Sequence, residues 1–168
     1  DFLSVSKLET GTFETNPEVV DFTTDLEEIV DEFGAEIAKK ELRIERAFPA
    51  TSATLEVDRR LLHIVTSNLI SNAAKYTPQG GTVSLAYQVH AGEMQLRVTD
   101  TGIGIPAEEQ PRLFSKFFRA TNARLHKAKG TGLGLYIVKQ SAEMLGGSIT
   151  FESVVDQGTS FTLTIPTR

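Results

Sequence analysis

Apolar side chains recur along this chain in two rhythms, one every three or four residues and one every second residue. Phe22, Leu26, Ile29, Phe33 and Ile37 keep the first interval, which lines one face of a helix. Thr24 followed by Glu27 has the pattern of a capping box that opens it. The other face, Asp25, Glu28, Asp31 and Glu32, reads as solvated surface. Leu42, Ile44 and Phe48 alternate with Arg43, Glu45 and Ala47 as a strand, and Leu55 and Val57 make a second, short one that ends at Asp58. The helical interval returns from Asp58 to about Tyr76, with Leu62, Val65, Leu69 and Ala73 as its core stripe. Gln79-Gly80-Gly81 then turns the chain into a strand with Val83, Leu85, Tyr87 and Val89 on one face. Ala91-Gly92 is a tight turn into a partner strand carrying Met94, Leu96 and Val98. A last helix presents Leu135, Val138, Ala142 and Leu145 and is closed by Gly146-Gly147; two strands follow, Ile149 and Phe151, then Phe161, Leu163 and Ile165, joined at Gly158-Thr159. At the other end, Phe2, Val5 and Leu8 give a short helical spacing that stops at Gly11, and Asn16-Pro17 is a turn signal, so residues 1–20 read as the tail of an earlier element and a join.

Composition narrows the field by exclusion. The 168 residues are the size of one domain, able to bury roughly 70% of the surface of the unfolded chain. The absence of cysteine excludes disulfides, thiolate metal sites and thiol catalysis. A net charge of -5 without a Lys/Arg-rich run argues against nucleic acid or an anionic membrane as the main partner, so an anionic ligand must be held by local groups. No apolar stretch approaches the ~20 residues of a membrane span, and no signal peptide is expected ahead of the domain. The abrupt start at Asp1 suggests a piece cut from something longer.

Four stretches carry chemistry that the core pattern does not require. Asp100 ends a strand and is followed by Gly102 and Gly104, which let a ligand approach the main chain. Two readings stand: an Asx-type turn, or a carboxylate that accepts from an amino group in a cavity. Asn68, Asn72 and Lys75 share one ridge of the long helix. Asparagine competes for backbone hydrogen bonds inside a helix, so the pair is either satisfied by neighbouring backbone or offers carbonyl oxygen to Mg²⁺ beside substrate phosphates, with Lys75 as a point charge for the same phosphates. Tyr76 is a flat ring next to such a ligand, or plain core. The run Glu108, Glu109, Leu113, Phe114, Phe117, Phe118, Arg119 suggests a short helix followed by core aromatics, and residues 120–129 read as an irregular, mobile cover. Gly130-Thr131-Gly132-Leu133-Gly134-Leu135 opens the last helix as a phosphate cradle: glycine N–H groups and a helix N-terminus face an anion. No Lys-Ser/Thr follows as in a P-loop, and no strand directly precedes as in a dinucleotide fold. His63 sits among apolar helix neighbours without a metal or acid-base partner and reads as structural, His90 lies at a hairpin end and His126 in the cover.

In this order, Asn68-Leu-Ile-Ser-Asn72-Ala-Ala-Lys75-Tyr76-Thr, Asp100-Thr-Gly102-Ile-Gly104-Ile-Pro, Phe114-Ser-Lys-Phe117-Phe118-Arg119, Gly130-Thr-Gly132-Leu-Gly134-Leu and Gly158-Thr159 closely resemble the N, G1, F, G2 and G3 boxes of the catalytic ATP-binding domain of sensor histidine kinases. The resemblance implies an α/β two-layer sandwich, with three main helices on one face of a mixed sheet of about five strands and ATP between helices and lid. It assigns Asn72 to Mg²⁺, Asp100 to the adenine amino group, Tyr76 and Ile105 to adenine or ribose, Lys75 and Arg119 to phosphates, and Gly130, Thr131, Gly132 and Leu133 to the phosphate-covering turn. Gly102, Gly104, Phe114, Gly134 and Thr159 complete the nucleotide-binding set, and Asn68, Lys75 and Arg119 the catalytic one. Residues 1–16 are similar to the end of a dimerisation helix and its linker, leaving 17–168 as the catalytic domain.

The implied reaction is phosphoryl transfer from Mg·ATP to a histidine on a separate dimerisation domain, since no His-Glu-x-x-Thr-Pro-type stretch is present, with a response regulator downstream. The fragment is expected to be monomeric and cytoplasmic, its parent a homodimer. Two positions depart from the family. Eight residues before Asn72, where such kinases commonly have Gln, Glu or His, stands Ile64. Four residues before it, where related gyrase and chaperone ATPases place a water-activating Glu, stands Asn68, which is no general base, so the chemistry should favour transfer over hydrolysis. A nucleotide-binding module that signals by conformation, or a serine-kinase or hydrolase variant of the fold, remain the alternatives.

Overall fold

The computed structural model describes Glu9, residues 14–125 and residues 132–167; the expected helical spacing of Phe2, Val5 and Leu8, together with His126, Gly130 and Thr131, lies outside the described residues. A short strand the periodicity did not predict, β1 (Glu18–Asp21), pairs antiparallel with β3 (Thr54–Val57). Its signal is a single buried residue, Val20, too little for a period to register. Asp21 then opens α1 (Phe22–Glu32): its carboxylate accepts from Thr24 N at 3.0 Å. The capping box expected at Thr24 and Glu27 is therefore not formed. The helix starts three residues earlier, and Glu27 pairs instead with Arg46 at 2.8 Å. Phe33 leaves helical geometry, so the apolar face expected to run on to Ile37 is divided between α1 and a short α2 (Gly34–Lys39).

After β2 (Arg43–Ala47) and β3 comes the long helix α3 (Arg59–Tyr76). Its N-cap is Asp58, whose Oδ1 accepts from Arg60 N (2.9 Å) and Leu61 N (3.2 Å) while Oδ2 accepts from Asn16 N (2.8 Å). One buried carboxylate thus starts the helix and ties down the incoming chain. His63 is not in the helix interior: it faces outward, its Nε2 3.7 Å from Glu32.

Strands β4 (Thr82–His90) and β5 (Glu93–Asp100) form the expected hairpin, with Ala91 (φ 52°) and Gly92 (φ 79°) at its turn. Val89 is 42% exposed rather than part of the core face, because the hairpin runs on past the helices. A 3-10 helix (Ala107–Arg112) leads to Leu113 and then to α4 (Thr121–Leu125), capped by Glu109, which accepts from both the N–H and hydroxyl of Thr121 at 2.9 Å. The expected irregular cover therefore begins as a helix. The chain closes with α5 (Gly134–Met144), β6 (Ser148–Val154) and β7 (Gly158–Pro166). Residues 155–157 make the last turn, and Gly158 already belongs to β7, paired with Val154.

The five-stranded sheet has the order β2-β4-β5-β7-β6. Only β2 runs parallel to its neighbour, so the sheet is mixed. Met94, Leu96 and Val98 are buried while Gln95 and Arg97 are exposed, the alternation of a sheet covered on one face. Helices α1, α3 and α5 supply that cover through Leu26, Leu69 and Val138, giving one core that extends to Phe22, whose ring meets Tyr87 edge-on at 4.8 Å. The fold is the two-layer α/β sandwich. Among the described residues no helix is long and apolar enough to cross a membrane.

Asp58→Ala should lower stability by about 1–2 kcal/mol, the worth of a helix cap that also anchors a second amide. Burial pushes the Asp58 carboxyl up, but the Asn16 amide, the Arg60 guanidinium and the Leu61 amide outweigh it and hold it below the usual range. Its contribution is thus present above the ordinary carboxylate pKa and lost as pH falls through the lower folded value. Urea titrations of the two proteins should converge as pH falls well below the ordinary carboxylate range; a gap that acid leaves unchanged would refute the carboxylate's role.

Candidate nucleotide-binding site

A cavity of about 320 Å³ opens between α3, the loop after β5, the segment 113–123, the start of α5 and Thr159 and Phe161 of β7. It gathers Asn68, Asn72, Lys75, Tyr76, Asp100, Gly104, Ile105, Arg119, Gly132, Gly134 and Thr159 from positions far apart in sequence. Three other expected residues stand elsewhere. Gly102 lies behind the lining, where an added Cβ would come within 2.6 Å of Tyr76 O and 2.7 Å of Asp100 Oδ1, so glycine is what lets the loop lie against the helix end. Phe114 packs edge-on against Phe151 at 5.7 Å and is scaffold rather than lining. Leu133 is buried with Leu61 and Ile137 between α3 and α5, since a leucine entering a helix is drawn to apolar neighbours rather than to an anion. Of the three clustered phenylalanines only Phe118 lines the cavity, and Phe117 is 57% exposed.

Asp100 closes the middle strand, register-paired with Val83 on one side and Thr159 on the other. Its Oδ1 accepts from Gly102 N (2.8 Å) and Thr159 N (3.2 Å). Among the described residues Oδ2 has no donor, and it is the atom left for a ligand. Burial pushes the carboxyl up to about 6, against the two amides, which pull it down. Close approach of β7 depends on Gly158, at φ +124°, where a Cβ would lie 1.9 Å from Asp100 O. The loop after Asp100 is held on all sides: Ile103 N donates to Tyr76 O (3.2 Å), Asp156 N to Ile103 O (2.8 Å), Ile105 N to Ser153 Oγ (2.8 Å) and Gln110 Nε2 to Ile105 O (3.0 Å).

Lys75 and Arg119 bring positive charge to the same lining. Burial draws the Lys75 ammonium pKa down, Glu36 raises it and Arg119 lowers it again; among the described residues no carboxylate lies within ion-pair distance of Lys75. Two cations lining one cavity repel each other, and an anion between them relieves the repulsion. The two asparagines divide. Asn68 Nδ2 donates to Ile64 O at 2.6 Å, so backbone satisfies half of its amide, while its Oδ1 faces Gly134. Asn72 lines the cavity with no protein partner among the described residues. Those residues hold no group of three His, Cys, Asp or Glu able to bind a metal. A lone neutral oxygen such as that of Asn72 suits Mg²⁺ shared with phosphates rather than a closed protein cage.

Sequence reasoning did not single out Asn122, Ser153 or Gln110. Asn122 lines the cavity and donates through Nδ2 to Gly104 O at 2.8 Å, stitching α4 to the loop. It was visible only as one polar residue in a polar segment, and the other two as ordinary surface residues.

Residues 57–168 match the Histidine kinase-, DNA gyrase B-, and HSP90-like ATPase family, and the chain belongs to it. It is 35% identical to the sensor histidine kinase WalK of Bacillus subtilis, covering 99% of this chain and 27% of that protein. It is 45% identical to the sensor-like histidine kinase SenX3 of Mycolicibacterium smegmatis over 65% of this chain and 28% of that one. Among solved structures it is similar to the Acinetobacter baumannii histidine kinase AdeS (TM-score 0.80, 26% identity, 99% of this chain and 75% of that one). It is also similar to full-length ShkA in complex with AMPPNP (TM-score 0.86, 26% identity, 98% and 34%). The chain spans about a quarter of the length of the curated relatives it matches.

Because the fold favours protonated Asp100, the stability this group provides is present below the ordinary carboxylate pKa and lost as pH rises through about 6. Asp100→Asn, which cannot ionise, should therefore be more stable than the parent at pH 8 by about 1–2 kcal/mol and indistinguishable from it near pH 4. Equal stability at both pH values would place Asp100 in solvent.

Proposed function

We propose that the chain is the ATP-binding catalytic domain of a sensor histidine kinase. Residues 1–16 would belong to the end of the dimerisation helix and its linker, and 17–168 to the catalytic domain. The observation that carries the reading is the set of groups that line one cavity: a buried acceptor, Asp100, the cations Lys75 and Arg119, and the uncommitted amide of Asn72. An adenine offers an amino group where Asp100 Oδ2 accepts, beside Tyr76 and Ile105, and its phosphates reach Lys75, Arg119 and the N-terminus of α5. Asn72 would hold Mg²⁺, which neutralises phosphate charge when bound.

Phosphoryl transfer has a loose transition state, so the domain's part is to position the γ-phosphate and screen its charge. A histidine ring nitrogen from the dimerisation domain attacks the γ-phosphorus, the bond to the bridging oxygen breaks, and ADP leaves with the electron pair. Asn68, tied to its own helix, offers no base for water, which supports transfer over hydrolysis. A response regulator would then take the phosphoryl group, in a parent protein acting as a cytoplasmic-facing homodimer.

Asn72→Ala should abolish the gain in ATP affinity that Mg²⁺ confers while leaving metal-free ADP binding nearly unchanged, measured by calorimetry. Equal losses with and without Mg²⁺ would make Asn72 structural. Incubated with γ-labelled ATP, the chain alone should not label itself, because misplacement of even 1 Å costs about a hundredfold in such reactions. A dimerisation domain from the parent protein should acquire an acid-labile, alkali-stable phosphate. No label there, with ATP still bound, would favour the module that signals by conformation.

A further inference from the structure

The last four carbonyls of a helix have no partner within it, and α3 ends where Lys75 and Tyr76 face the cavity. All four are accounted for. Ala73 O accepts from the N–H (3.1 Å) and hydroxyl (2.6 Å) of Thr77. Tyr76 O accepts from Ile103 N (3.2 Å). The two between them, Ala74 O and Lys75 O, both accept from a single atom, Lys40 Nζ, at 2.7 and 2.9 Å. Lys40 is the C-cap of α2, and its own carbonyl accepts from Gly80 N at 2.8 Å, so its backbone is pinned to the turn that follows α3. Its side chain does not line the cavity.

Charge gives this cap a second consequence. A helix C-terminus carries roughly half a negative charge, and here it lies beside a cavity that binds an anion on the reading above, on which this step rests. A cation seated on those carbonyls cancels their field and stops the last turn from fraying.

We infer that Lys40 is a positioning residue of the nucleotide site: by capping Ala74 and Lys75 it fixes the side chains of Lys75 and Tyr76 against the bound nucleotide.

Lys40→Met keeps the aliphatic stem and removes the donors, and Lys40→Arg restores them. Calorimetric titration with AMPPNP and Mg²⁺, well below each variant's unfolding temperature, should show about tenfold weaker binding for Lys40→Met, on the scale of a lost charged hydrogen bond, and near-parental binding for Lys40→Arg. The carbonyl ¹³C resonances of Ala74 and Lys75 should move in the first variant and return in the second. Gln79→Ala, which breaks only the exposed Gln79–Glu41 hydrogen bond of 2.8 Å beside this turn, should leave affinity unchanged. Should Lys40→Met not fold, Lys40→Gln, with a neutral donor, should give an intermediate loss. Unaltered affinity in Lys40→Met, a loss that arginine does not rescue, or the same loss in Gln79→Ala would each overturn the inference. Failure of the unsubstituted chain to bind AMPPNP would instead overturn the nucleotide reading itself.

Discussion

A carboxylate taken into the interior must be given donors there or surrender its charge, and the geometry around Asp100 meets that demand only in part, with two main-chain amides that burial outweighs. The two donors come from opposite directions, Gly102 in the turn that follows and Thr159 on the neighbouring strand. Asp100 closes the middle strand of the sheet, whose end is enclosed by neighbours on both sides. Ser153 extends the constraint: its hydroxyl accepts from Ile105 N, donates to Gly158 O and bonds the hydroxyl of Thr159. The β6–β7 hairpin and the glycine loop therefore hold the carboxylate as one unit, with a single oxygen turned to the cavity.

The same cavity that Asp100 faces is also lined by positive charge. The chain as a whole is acidic, at -5, so nothing in its overall field draws an anion in. Positive charge at the cavity is local: Lys75 and Arg119 line it together with the start of α5, and Lys40 caps the end of α3. On the proposed reading, these groups suit a molecule that carries both an amino edge and anionic groups, as an adenine nucleotide does. Asn122 and Glu109 add a fastening at the edge: one ties α4 to the glycine loop and the other caps it.

Sequence periodicity by itself determined the order of the elements, because burial on one face imposes a spacing of two on strands and of three to four on helices. It located α3 and α5 through Leu62, Leu69 and Val138, and it marked the strand that delivers Asp100. Ordered motifs determined the family and most of the cavity lining, since close backbone approach at Gly102, Gly104 and Gly158 leaves glycine no substitute. Elements with little buried surface stayed hidden: β1 has one buried residue, and α4 carries too few apolar residues to show a period.

The tertiary structure decided what depends on partners distant along the chain. Asp21 rather than Thr24 caps α1 because β1 ends there. Phe114 and Leu133 stand in their boxes yet turn towards the core, since apolar surface is drawn to the nearest apolar neighbours that packing supplies. Lys40 reads as one more surface cation until α2 is seen against the end of α3, 34 residues on. Propensity and spacing are local properties of a chain, whereas hydrogen-bond satisfaction and electrostatic environment belong to the packed whole, and those chose which oxygen, amide and ammonium face the cavity.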